Sequence, residues 1–207
     1  GANHKCMVVG FNPNATLVRD GAYVPTNAIS SPAGYDHKFE YTSIANRAFY
    51  KSNATKIDLT NLTSVTVIYA QAFQECAASE ITLPKNCTEI GNYAFQNAYY
   101  MEKIEFPESL ESIGDGAFYD CAYLTEVTIP AKVNYIGERA FDLCSQLATV
   151  TFAGDKSRIQ IGANAFAGTP YNKTLPFKLV RDGTILIGIE GVPPAQLEIP
   201  AGITQIG

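Results

Sequence analysis

The sequence predicts a mainly-β solenoid, a stack of short coils, and three observations carry that expectation. A phrase recurs along the chain: Val-Thr-Ile-Pro-Ala-Lys-Val-Asn-Tyr-Ile-Gly-Glu-Arg-Ala-Phe at 127–141 is the best of several copies. With the Phe of each Ala-Phe pair as anchor, the copies fall at Phe49, Phe73, Phe95, Phe118, Phe141 and Phe166, spaced by 24, 22, 23, 23 and 25 residues. A period in the twenties belongs to a repeat with one or two short elements per turn. Within each copy, apolar and polar residues alternate before a Pro, the period-two signature of a strand with one buried face.

Residues 1–40 do not scan as repeats. Met7-Val-Val9 and Thr16-Leu-Val18 read as short strands, Asp20-Gly21 as a hairpin turn, and 30–34 as a loop. This stretch is expected to be an irregular β cap, because the open end of a solenoid exposes a slice of core and an unpaired strand edge.

The repeats run over 41–170. In the best copy, Leu124, Val127 and Ile129 are the inward positions, and Glu126 and Thr128 point outward. Pro130 ends the strand, having no N–H to donate to a ladder. Val133 and Ile136 then form a return segment, closed by Gly137, whose freedom permits the next turn. Ala140-Phe141 opens a single helical or 3-10 turn, too short to be a stable helix alone. The other strands carry Ile57/Leu59, Ile81/Leu83, Ile104/Phe106 and Val150/Phe152; the other returns carry Val65/Ile68, Cys87/Ile90, Leu110/Ile113 and Ile161. Stacking the coils should give one parallel sheet and an internal spine of phenylalanines.

After Phe166 the rhythm breaks. Residues 171–207 read as a β-hairpin turning at Asp182-Gly183, followed by the start of a further repeat at 199–207. The pentapeptide Leu-Val-Arg-Asp-Gly occurs at both 17–21 and 179–183, a second-order repeat.

The pattern Leu-Thr-x-Val-x-Ile-Pro-x-x-Val-x-x-Ile-Gly-x-x-Ala-Phe-x-x-Cys resembles the leucine-rich repeats of the BspA type, found in surface proteins of gut and oral bacteria and of some protozoa. What the resemblance implies is the leucine-rich-repeat horseshoe architecture: a curved, right-handed coil with its parallel sheet on the concave face. It also implies adhesion or recognition at a cell surface, without a catalytic mechanism. Tyr69 and Ala45 stand where the pattern has Gly, and Asp155-Lys-Ser-Arg158 enlarges one return, so the curvature is expected to change there.

Composition excludes several partners. A net charge of −5, a pI near 5.0 and no basic cluster argue against nucleic acid and anionic membranes, which need a concentrated basic face. No apolar run approaches the roughly 20 residues that span a bilayer, so membrane insertion is not expected. Gly1 is not a natural initiator, so an export signal is expected to have been removed, and the location expected is extracellular or on the cell surface. His4 and His37 are the only near-neutral bases, no nucleophile or nucleotide-binding motif accompanies them, and neither catalysis nor a cofactor is expected. Glu80, Glu105 and Glu126 read as a column of like charge that keeps the sheet soluble in preference to a catalytic carboxylate pair.

Cys76, Cys121 and Cys144 each lie three residues after an anchor Phe, where Ser52, Ala98 and Thr169 stand in other coils. A slot that accepts any small residue reads as buried, reduced thiols; a disulfide between adjacent coils is the competing reading, and no metal-ligand spacing is present. Asn-x-Thr triplets at Asn14, Asn53, Asn61, Asn86 and Asn172 are attributed to the abundance of Thr. Two functional classes remain. One is a recognition module that binds an extracellular protein or glycan through the ribbon Lys56, Asp58, Glu80, Thr82, Lys103, Glu105, Glu126 and Thr128, with Tyr100 and Tyr123, beside Tyr99, as an aromatic rim. The other is a spacer whose repeats only give length. The varied outward residues favour recognition, and the bland pair Thr149 and Thr151 at one end favours the spacer.

Overall fold

The computed structural model describes residues 39–173 continuously, and beyond them only the backbone of strands at 4–8, 18–19, 22–23, 177–180, 185–189 and 205–206. The expected turns at Asp20-Gly21 and Asp182-Gly183, the loop at 30–34, and most of the coil at 199–207 lie outside the described residues. Chain order begins with β1 (His4–Val8), β2 (Val18–Arg19), β3 (Ala22–Tyr23) and β4 (Phe39–Ile44). Five pairs follow: β5 (Lys56–Asp58) and β6 (Val67–Ile68), β7 (Glu80–Thr82) and β8 (Glu89–Ile90), β9 (Lys103–Glu105) and β10 (Ser112–Ile113), β11 (Glu126–Ile129) and β12 (Tyr135–Ile136), β13 (Thr149–Phe152) and β14 (Gln160–Ile161). The chain closes with β15 (Phe177–Val180), β16 (Ile185–Ile189) and β17 (Gln205–Ile206).

The expectation of a single sheet is corrected, because each coil contributes a strand to each of two parallel sheets. One has the order β1-β4-β6-β8-β10-β12-β14 and the other β13-β11-β9-β7-β5-β3-β2. The return segments are therefore strands themselves, two residues long, pairing Glu89 with Ser112 and Ser112 with Tyr135. β2–β3 and β15–β16 pair antiparallel, as the two expected hairpins require, and β3 joins the second sheet through β5.

The Ala-Phe turn is neither α-helical nor 3-10, which is a second correction. Its residues two before and two after each anchor Phe have positive φ: Arg47 and Lys51, Gln71 and Glu75, Tyr93 and Asn97, Gly116 and Asp120, Arg139 and Leu143, Asn164 and Gly168. With a left-handed residue at each end of the five-residue turn, every second N–H points along the stack. Thus Tyr93, Phe95 and Asn97 donate to Asp115, Ala117 and Tyr119 of the next coil at 2.8, 2.7 and 2.9 Å. A left-handed non-Gly residue costs roughly 1–2 kcal/mol, and each rung it permits satisfies a donor and an acceptor otherwise buried without partners. None of the ten non-Gly positions is β-branched, the class for which such a backbone is least tolerable.

The repeated Gly acts by close approach rather than by freedom of φ. A Cβ on Gly137 would lie 2.4 Å from the Asp115 nitrogen, and one on Gly162 2.4 Å from the Glu138 nitrogen. Tyr69, which lacks that Gly, keeps the same rung: its N–H donates to the Ile44 carbonyl at 2.9 Å, as Gly91 does to Ile68 at 2.7 Å. The enlarged return forms a 3-10 turn, Lys156–Arg158, capped by the Asp155 carboxylate, which accepts from the Ser157 N–H at 3.0 Å.

Inside, the phenylalanines form the expected spine. Successive ring centroids from Phe49 to Phe166 are 4.7, 4.9, 4.9, 5.1 and 5.3 Å apart, with planes within 8° of parallel. Phe118 is closed on both sides and meets the edge of Phe106 at 5.5 Å, whereas Phe166, among the described residues, stacks only on Phe141 and meets Tyr171 edge-on. Phe118→Ala is expected to cost about 3–5 kcal/mol in a denaturant titration, and Phe166→Ala less. Equal small losses would show that the rings do not carry the packing.

Candidate functional site

The outer face of the β5–β13 sheet is built by strand alternation. Ile57, Ile81, Ile104 and Val127 are buried between outward neighbours, so Lys56, Glu80, Lys103, Glu105, Glu126 and Thr128 are exposed, with Asp58 and Thr82 half-buried. Register then sorts them into columns. Lys56, Glu80 and Lys103 align across neighbouring strands, and Glu126 follows Lys103 and faces Thr149. Asp58, Thr82 and Glu105 form a second line. The like-charge column expected from Glu80, Glu105 and Glu126 therefore does not exist: Glu105 stands in the other line, and the first alternates in sign, an arrangement that favours cross-strand pairing.

The pairing is selective. Lys56 reaches Glu80 across the coils at 2.8 Å, whereas Lys103 turns along its own strand to Glu105 at 2.8 Å and leaves Glu126 opposite it. The hydrogen bond from Lys103, then its charge, hold the Glu105 carboxyl below its ordinary range; the same bond raises Lys103. Because these groups are fully exposed, water and salt screen the pairs and they contribute little to stability.

At the carboxyl end of β9 and β11 this face sinks into an open groove of about 950 Å³. Lys103, Glu105, Glu126 and Thr128 line it together with half-buried Phe106. Lys56, Asp58, Glu80 and Thr82 lie on the same sheet but not in the groove. Reading only the alternating strand positions missed Lys85, Glu108 and Lys132, which reach the groove from the corner after the strand. Their signal was the Pro in each copy: Lys85 and Glu108 directly follow one, and Lys132 stands two residues after Pro130. Tyr100 and Tyr123 lie before β9 and β11, at the other end of the same strands, and are 61% and 50% exposed. Among the described residues no group of three or more His, Cys, Asp or Glu is placed to hold a metal ion.

The four described cysteines are free and buried. Cys121 and Cys144 donate their S–H to the carbonyls of Phe95 and Phe118, both at 3.1 Å, so each thiol serves as a small hydrophobe with one satisfied donor. Burial pushes Cys76 up to about 11 and Cys87 up to about 12. Thiolates are the reactive form, and these groups are kept from it. From the ordinary pKa up to these raised values, an unfolded thiol loses its proton while the folded one keeps it. Stability is therefore full below the ordinary pKa and falls as pH rises through that window. Between about pH 9 and about pH 11, wild type is expected to lose stability faster than Cys87→Ala, by roughly 1.4 kcal/mol per pH unit. Parallel declines in the two chemical denaturation series would contradict the burial of this thiol.

Six copies of a family profile described as "BspA type Leucine rich repeat region" match residues 42–173. Among solved structures, a leucine-rich repeat protein from Bacteroides ovatus is 25% identical, with a TM-score of 0.56 over 70% of this chain and 40% of its own. The present chain thus spans two fifths of that protein's length. A leucine-rich repeat protein from T. pallidum is 22% identical, with a TM-score of 0.55 over 72% of this chain and 77% of its own, and it shares the fold. A search of curated proteins finds no significant match.

Proposed function

Because the chain belongs to the BspA-type leucine-rich repeat family, we propose that it is an adhesion or recognition module, displayed on a cell surface or secreted, that binds an extracellular protein or glycan through the outer face of the β5–β13 sheet. One observation carries the reading: three carboxylates and three lysines, Glu105, Glu108, Glu126, Lys85, Lys103 and Lys132, line one groove together with Phe106. A spacer has no need of such convergence. In a right-handed coil curved with this face inward, several coils bear on one ligand, the way solenoids build binding surfaces. Hydrogen-bonding charge at the rim and an aromatic floor give orientation and burial to the same partner.

The alternative, a spacer with no ligand, draws on the uniform Thr149 and Thr151 of β13, both exposed. The two readings differ in one measurement. Lys103→Glu, Glu105→Lys and Glu126→Lys together are expected to abolish binding to a surface protein or glycan recovered by array screening, while costing no more than about 0.5 kcal/mol each in stability, as exposed sites do. Undiminished binding by the folded triple variant would move the site off this groove.

A further inference from the structure

The most exposed rings among the described residues are Tyr100 and Tyr123, at 61% and 50%, and Tyr99 beside them is 42% exposed. The fold does not ask for rings at these places. Tyr100 and Tyr123 are equivalents in adjacent coils, and the next coil holds Gln146; Ala122 and Ser145 take the place of Tyr99. The core beneath is already closed by Met101, Leu124 and Leu147, all fully buried. Aromatic surface left in water where packing does not need it marks a contact site.

The surroundings say what kind of contact. Burial, and then the nearby Asp120 carboxylate, raise the Tyr99 hydroxyl above its ordinary range, which places that carboxylate beside the ring. Asp120 is the third of Glu75, Asn97 and Asp120, which hold the same left-handed place in successive coils and so form a line of acceptors. Glu102 is exposed next to Tyr100. The two lysines that flank this region are engaged, Lys51 with Glu75 at 3.4 Å and Lys103 with Glu105 at 2.8 Å. The patch therefore offers aromatic faces and hydrogen-bond acceptors without a free cation.

We propose that the rim of Tyr99, Tyr100 and Tyr123 binds a neutral linear glycan lying along the solenoid axis, one pyranose ring to each coil. The C–H face of a pyranose packs on a phenol ring as apolar surface, and its hydroxyls donate to the flanking carboxylates and amide. The coil rise, read from the phenylalanine spine as 4.7–5.3 Å, is close to the length of one sugar unit in an extended chain. Sulfated and uronate-bearing glycans are repelled by Asp120 and Glu102. A globular protein partner needs a broad buried area, and here the rings stand in a narrow line with polar borders. This site is separate from the groove at the other end of β9 and β11.

The test is an array of neutral linear hexasaccharides (β-glucan, mannan and xylan) alongside a heparin hexasaccharide. The chain has no Trp, so tyrosine emission reports binding directly. Wild type is expected to bind at least one neutral hexasaccharide with a change in that emission. Tyr100→Gln with Tyr123→Gln, the residue the next coil already uses, is expected to weaken binding about tenfold or more at an unchanged thermal midpoint. The groove variant Glu108→Lys, Lys132→Glu, at the corner after the strands and away from the rim, is expected to bind the same sugar normally, so that the two sites stand or fall separately. No neutral glycan bound, binding of the heparin fragment alone, or undiminished binding by the double variant would each overturn the proposal.

Discussion

One phenylalanine ring stacked on the next sets the rise of every coil, and the rest of the structure conforms to that rise. Ring centroids 4.7–5.3 Å apart fall close to the ~4.8 Å separation of hydrogen-bonded strands. The spine and the two sheets can therefore share one repeat distance, and a larger core residue would break all three. The Ala-Phe turn must keep the same rise, which an α-helical turn cannot do because its hydrogen bonds point back along its own segment. The left-handed residues two before and two after each Phe go with a turn that sends the N–H groups of Phe49, Phe73, Phe95, Phe118 and Phe141 to the next coil, each at 2.7 Å. Each coil is thus bonded to its neighbour on three sides.

Much of this was legible because a solenoid writes its contacts as a period. The anchor Phe, the Ile of each return and the outward Lys and Glu could be assigned from spacing alone, since burial at one position of a repeat implies burial at the rest. The turn ladder was not legible in the same way. Its signature is permissive: Arg47, Glu75 and Leu143 occupy left-handed positions as readily as Asn97 or Gly168, and only the absence of β-branched residues marks them. Gly137 was correctly expected to be special, but for the wrong reason, because backbone approach between coils is a tertiary fact. Nor does a pattern reveal which carboxylate Lys103 selects, since Glu105 and Glu126 are both within reach and rotamer geometry decides.

Confining all cohesion to the interior and the backbone leaves the outer positions free of structural duty. Glu126 can be followed by Thr149 in the same column, and Tyr123 by Gln146 in the same turn, without disturbing the packing beneath. Such a surface accommodates a binding site wherever neighbouring coils happen to agree in chemistry. The two places proposed for binding, the Phe106 groove and the tyrosine rim, are those where neighbouring coils agree in chemistry, whereas the outward residues of β13 are threonines.

The Phe-bearing turns form a third hydrogen-bonded ladder and are not loops. Amide hydrogen exchange, resolved residue by residue, distinguishes the two. The amides of Phe73, Phe95 and Phe118 should rank among the slowest in the protein, matching Ile81 and Ile104 in the strands and exchanging only when coils separate. Exchange of these phenylalanine amides at the rate of exposed turns, while the strand amides stay protected, would contradict it.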